Sequence, residues 1–400
     1  MSRLTLAPGT TTASDGRTFT SLGLQCVVNA FVYSTYLARL PDIRDQAHLS
    51  IGAMGVVMMV GNLAGFVATF FTAPVIRRLG SKRVMVAGGI LYVFALPVIG
   101  GSGAPAVLVT AIVGMMVMNT FVDVAIAMQS AAFSLRRERP VMSRLSGLYS
   151  LGTVGGGFAA SLIAAAGFDV SLHLLLLAAV LGAALLFVAP GLLPGDEPAR
   201  RDDGPHPRTS WWRIGTPALV LGLASALTVP LDIVPGEWAT FRVRDDLGGT
   251  AAAATAAYFV FTLGMALGRF GGDRAAVRLG RRPLMWGSVV LSAAGLVAAA
   301  TVPLTPVLLA GFFLAGLGVS TQSPVLTEAA AVTPGPAFTA LFVGNRLAGL
   351  LTPLAVGTLA GTSLGVGTAM TLVVVPSAVL LTVFAGRALG RPRGETAVGP

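Results

Sequence analysis

Four ionisable side chains, Asp123, Asp232, Glu328 and Arg346, stand inside long apolar runs of this 400-residue chain. A charge at the centre of a bilayer costs at least about 2.5–3.5 kcal/mol on insertion scales, so each is a candidate for function. A carboxylate at depth is suited to carrying a proton, because small changes in solvation alter its protonation strongly. Asp123 follows Asn119 by four residues, which sets both on one helical face. That face either lines a wet cavity or pairs with an arginine for structure alone. Asp232 follows Thr228 by the same interval. Glu328 sits toward one end of its run, where it either joins the path or only reaches headgroup water. Arg346 could hold an anionic substrate or pair with a carboxylate across a cavity. Glu237 and Trp238 close the run that holds Asp232 and read equally well as an interfacial anchor. The first run carries a polar stripe, Gln25, Asn29 and Tyr33, each four apart. Such a stripe glues helices or faces a substrate.

No catalytic constellation accompanies these residues, and no enzymatic activity is expected. The stretch "GTVGGG" at 152–157 lies in an apolar run, with no preceding strand and no following Lys-Ser/Thr. Its glycines read as helix packing, not as a phosphate loop. Cys26 is the one cysteine, which rules out an internal disulfide. His48, His173 and His206 have no ligand spacing, so neither metal nor cofactor is expected.

The elements that must position the polar groups follow from composition: 54% of residues are hydrophobic and 11% charged. Runs apolar on all sides and about twenty residues long are of membrane-spanning length. They are expected to be helices, because barrel strands would alternate in polarity. Twelve are predicted, near 19–38, 50–73, 84–101, 106–133, 145–167, 171–192, 214–238, 251–272, 284–302, 306–331, 338–360 and 365–386. The polar residues 1–18 and the length of the first run predict that this run is retained, not cleaved as a signal peptide.

The net charge of +10 does not imply a nucleic-acid partner, because the basic residues sit between greasy runs. Twenty-one of them fall in alternate segments between runs, and four (Arg39, Arg44, Arg242, Arg244) in the others. This bias predicts that both termini are cytoplasmic, in a multi-pass protein of the cytoplasmic membrane. The longest break, 193–213, is rich in Pro, Asp and Arg and reads as a cytoplasmic linker between 1–192 and 214–400. A shift of 200 residues lays Arg44-Asp45 on Arg244-Asp245, Ser50 on Thr250, and Arg78-Leu79-Gly80 on Arg278-Leu279-Gly280. The halves therefore read as one duplicated six-helix unit in parallel orientation.

The second half also carries "GGDRAAVRLGRRP". Gly268, Gly272, Asp273-Arg274, Arg278 and Gly280-Arg281-Arg282 follow span 8, and "RRLGSKR" holds the matching place in the first half. With twelve spans and a 6+6 duplication, this resembles the major facilitator superfamily. Asp273 is the informative residue: Ala73-Pro74 stands where the first half would carry the Asp-Arg pair. It could form a conformational latch there, while the arginines could serve topology alone. Gly264, Gly268 and Gly272 form a smooth stripe that permits close helix approach. "RLPDIRD" and "EWATFRVRDDLG" further resemble a bacterial branch often labelled sugar or drug transporters. The resemblance implies an all-α polytopic membrane protein with twelve transmembrane helices in two pseudo-symmetric six-helix bundles. It also implies a central cavity lined by the first and fourth helices of each half. Asn29, Tyr33, Asn119, Asp123, Asp232 and Gln322 are expected to line it, with Glu328 and Arg346 on the same path. The expected function is secondary transport of a small molecule by alternating access, coupled to protons. An uncoupled facilitator and a non-transporting membrane sensor or scaffold are the alternatives. The partners expected are a small-molecule substrate, protons and the lipid bilayer; no nucleic acid is expected, and the protein is expected to be monomeric.

Overall fold

A computed structural model describes residues 12–137, 141–193, 215–333 and 336–389. These residues form helices with no strand among them. The first half contains α1 (Thr12–Ala38), the short α2 (Leu40–Gln46), α3 (Ile51–Leu79), α4 (Ser81–Gly100), α5 (Pro105–Arg137), α6 (Met142–Ala165) and α7 (Val170–Val188). The second contains α8 (Thr216–Phe241), a π turn (Arg242–Asp246), α9 (Ala251–Leu279), α10 (Arg281–Thr301), α11 (Thr305–Val319), α12 (Gln322–Val332), α13 (Ala337–Ala360) and α14 (Gly365–Ala388). Eleven spans meet both the length and the apolarity needed to cross a membrane, α11 and α12 together making one. The twelfth expected span, α1, is 27 residues long but is not among those eleven. It carries the polar stripe and packs against α6, α7 and α5, so its polarity faces protein. Large apolar side chains stand on the outer surface: Phe187 is 77% and Leu186 68% exposed. An exterior of that kind suits hydrocarbon and not water.

Two six-helix bundles result. In the first, α1 packs on α6, and α5 on α3 and α4; in the second, α8 packs on α13 and α14, and α11 on α9 and α10. The bundles meet along α3–α13 and α6–α9. Residues 200 apart repeat their geometry. The Ser50 hydroxyl accepts from the Ala53 amide at 3.2 Å, and the Thr250 hydroxyl from the Ala253 amide at 3.2 Å. Each side chain caps the helix that follows it. Gly80 (φ 80°) and Gly280 (φ 79°) both take a left-handed turn that side chains disfavour. Each ends one helix and begins the next.

Two expectations need correction. The arginine-rich stretch is not a loop: α9 runs on to Leu279, so Asp273, Arg274 and Arg278 are helical, and only Gly280 interrupts before Arg281 and Arg282. Span 10 is broken into α11 and α12 at Ser320-Thr321. Pro324 is the local cause, since it has no N–H to offer the Ser320 carbonyl. The linker at 193–213 lies almost wholly outside the described residues, as does the Asp273 side chain.

The glycine stripes pack as expected. A Cβ on Gly264 would meet the Phe313 carbonyl at 2.2 Å, and one on Gly268 the Leu317 carbonyl at 2.7 Å, so α9 lies directly against α11. Gly152 and Gly156 seat α6 on the α1 backbone in the same way, with the Val27 carbonyl at 2.6 Å and the Phe31 carbonyl at 2.8 Å.

Candidate functional site

The helix spacings in α1 and α5 bring three predicted residues together. The Asn29 side-chain amide donates to Asp123 Oδ1 at 2.6 Å and to Asn119 Oδ1 at 3.2 Å. The Asn119 amide donates to Asp123 Oδ2 at 3.2 Å. Both carboxylate oxygens of Asp123 are thus held by amides, and no arginine pairs with it among the described residues. A carboxylate hydrogen-bonded at depth is positioned without being neutralised. Asp123 itself lines a chamber of about 230 Å³ with Cys26, Tyr149 and Arg269.

Two further chambers lie between the bundles. One, of about 250 Å³, is lined by Tyr33, Tyr149, Tyr258, Asp232, Glu237 and Arg269. The other, of about 220 Å³, is lined by Tyr33, Asn62, Asn119, Asp232, Glu237, Asn345 and Arg346. Asp232 and Tyr33 belong to both. Pro230 and Pro235 flank Asp232 within α8 and leave the carbonyls of Ala226 and Leu231 without their usual helical donors. Glu237 is 5% exposed and lines both chambers, and its Oε2 has no hydrogen-bond partner among the described residues. Placement at an interface would have exposed it.

Asp232 and Arg269 also line a larger cavity of about 870 Å³, which reaches Gln322 and Glu328. Gln322 is buried and donates to the Ser292 hydroxyl at 3.0 Å, tying α12 to α10. Glu328 is half-exposed and pairs with Arg281 at 3.0 Å, so it sits at the arginine-rich end of the bundle and not at depth. Arg346 stacks on Phe342, its guanidinium carbon 5.0 Å from the ring centre.

Arg269 went unsingled in the sequence, yet it lines three cavities and donates to the Ser150 hydroxyl of the other half at 3.2 Å. It lies one residue past Gly268 in the smooth stripe, which draws attention to packing. Its charge inside a span was the signal.

The opposite end of the bundle is closed by charge. Arg44 of α2 pairs with Asp45 and, across the bundles, with Asp245 of the π turn. Arg244 reaches back to Asp42 and Asp45, at 3.6 Å each. The cross-bundle contacts are reciprocal between positions 200 apart, as a pseudo-two-fold axis requires. Arg39–Asp42 (2.6 Å) and Arg242–Asp246 (2.7 Å) brace the ring within each half. Asp246 also accepts from the Val366 and Gly367 amides at the start of α14. Beside the ring α3 crosses α13, where a Cβ on Gly55 would lie 2.8 Å from the Gly357 Cα. Among the described residues, the inter-bundle charge contacts therefore stand at the end remote from Gly280.

The family model described as Major Facilitator Superfamily matches residues 22–234. An uncharacterised MFS-type transporter of Yersinia pestis is 26% identical over 329 residues, covering 80% of this chain and 83% of its own. A crystal structure of a point variant of the nucleoside transporter NupG superposes with a TM-score of 0.76 at 14% identity, covering 94% of this chain and all of its own. The D-xylose–proton symporter superposes with a TM-score of 0.70 at 13% identity, over 92% of this chain and 97% of its own.

Proposed function

Because the chain belongs to the Major Facilitator Superfamily, we propose that it is a proton-coupled secondary transporter that moves a small polar molecule across the cytoplasmic membrane. The multi-pass fold and transport role follow from membership. The coupling, the sidedness and the residue roles are our reading. The units are residues 1–192 and 214–400, joined by 193–213, with both termini cytoplasmic. They rock about the chambers around Asp232, so that access alternates between faces.

One observation carries this reading: polar chambers between the bundles are sealed at one end by a reciprocal ion ring, while a cavity of about 870 Å³ runs to the arginine-rich end. By the bias of basic residues that open end is cytoplasmic. Arg44, Asp45, Arg244 and Asp245 then form the outer gate. Asp123, held by Asn29 and Asn119, is the proton carrier: its amide partners keep the carboxylate in place while its protonation changes. Asp232, Glu237, Arg269 and Arg346 contact the substrate. Its closeness in shape to a proton symporter supports the arrangement.

Locking the ring tests the mechanism. In a Cys26→Ala background, Arg44→Cys with Asp245→Cys bridged by a short bismaleimide should stop flux in proteoliposomes, while either single variant keeps it. Full flux through the bridged protein would refute alternating access through this gate. Absence of any flux in the unbridged protein, with ligand binding intact, would favour a sensor or scaffold.

A further inference from the structure

Five acidic or basic side chains line the inter-bundle chambers, and among the described residues none forms an ion pair with another. Elsewhere this molecule does pair its sheltered charges: Arg39 with Asp42, Arg242 with Asp246 and Arg44 with Asp245. Asp123 is accounted for by two amide donors. Two acids, Asp232 and Glu237, and two bases, Arg269 and Arg346, remain.

Their arrangement is regular. Both acids line both chambers, while Arg269 lines only the first and Arg346 only the second. Each chamber therefore sets one guanidinium across open space from the same two carboxylates. Charges that served only to neutralise one another would have closed into contact, as those of the ring do. Instead they are kept apart, and Glu237 Oε2 is left buried without a partner. An unpartnered charge in a water-poor site is costly unless a ligand completes it.

We propose that the chambers recognise a small zwitterion, with its cationic group between Asp232 and Glu237 and its anionic group on Arg269 or Arg346. This rests on the transporter reading above. A simple anion would leave the two acids unmatched, and a simple cation would leave the arginines unmatched. Chambers of about 250 and 220 Å³ have room for a compact molecule. Tyr33, common to both chambers, offers a hydroxyl to either orientation.

The test is thermal unfolding of the purified full chain with two matched series of probes. One is γ-aminobutyrate, butyrate, butylamine and butanediol; the other is proline, cyclopentanecarboxylate, pyrrolidine and cyclopentanol. The expected result is that the zwitterion of a series raises the unfolding temperature more than its singly charged and neutral congeners do. Glu237→Gln and one of the two arginine variants, Arg269→Gln or Arg346→Gln, should weaken that zwitterion by roughly tenfold or more, the loss expected when one partner of a desolvated charge pair is removed. Each variant is compared with its own ligand-free unfolding temperature, which separates lost recognition from lost stability. No preference for the zwitterion in either series, or a preference that survives all three variants, overturns the assignment. Zwitterions that bind but are not taken up by proteoliposomes would sink the transport reading and leave this one standing. Uptake of a neutral solute that zwitterions fail to inhibit would do the reverse.

Discussion

Asp245→Asn should loosen the end of the bundle closed by the ion ring. Arg44 and Asp245 are 12% and 23% exposed, so their contact is sheltered without being dry. Burial works to lower the affinity of the Arg44 guanidinium for its proton, but hydrogen bonds to Asp245 and Asp45 outweigh it and hold its pKa above the usual value. The cation therefore persists at any working pH. Fully exposed pairs contribute about 0.2–1 kcal/mol, and hydrogen bonds to charged groups about 1.5–3 kcal/mol. Arg44 keeps Asp45 in the variant, so no charge is stranded and the upper figures do not apply in full. A loss of about 1–2 kcal/mol from the closed arrangement corresponds to a shift of roughly 5–30-fold between closed and open. Thiol labelling reads this directly. Cys26→Ala removes the chain's one cysteine, and Ile233→Cys places a thiol on both chambers. A membrane-impermeant maleimide applied to the ring face should then react faster with the Asp245→Asn protein by a factor in that range. An unchanged labelling rate would refute the claim that this pair holds the face shut.

Other consequences are more local. Gly264→Val should lower the unfolding temperature sharply, because its branches would meet the Phe313 carbonyl where even a Cβ lies at 2.2 Å; overpacking of this kind costs about 1–3 kcal/mol. Glu328→Gln, which removes a pair whose members are both half-exposed, should change the unfolding temperature little. Asp169 caps α7 by accepting from the Ser171 amide at 2.8 Å. Slight burial raises its pKa, but the hydrogen bonds from Ser171 prevail and depress it below the usual value. A depressed carboxylate stabilises the fold above its unfolded pKa and loses that contribution as pH falls through the folded value. Asp169→Ala should thus melt lower than wild type at neutral pH, with a cap loss of about 0.5–2 kcal/mol. The gap should narrow in acid, and an equal gap at both pH values would contradict the assignment.

The apolar runs exposed most of the helices, because lipid-facing and core-facing positions are both greasy and leave a continuous signal. Their ends were harder to read. α3 and α9 carry their arginines in their last turns, beyond the hydrophobic stretch, so polarity suggested loops where the backbone stays helical up to Gly80 and Gly280. The four-residue spacings of Asn29, Asn119 and Asp123 were visible as faces, although their joining needed the α1–α5 contact. Glu237 looked interfacial because nothing local reveals the chambers that it lines. The repeat of Arg44-Asp45 at Arg244-Asp245 was visible as a duplication. That each arginine reaches the other copy's acid is a fact of the two-fold arrangement alone. Asp273 stood out by its neighbours, and the cross-bundle charges among the described residues sit at the other end.

The most direct measurement is gradient-driven accumulation in proteoliposomes of whichever probe stabilises the protein most, with and without an imposed pH difference, in wild type and Asp123→Asn. The account predicts that the gradient drives accumulation by the wild type, and that Asp123→Asn still exchanges the probe but no longer accumulates it. Wild-type transport indifferent to the gradient, or an Asp123→Asn protein that remains fully coupled, would contradict it.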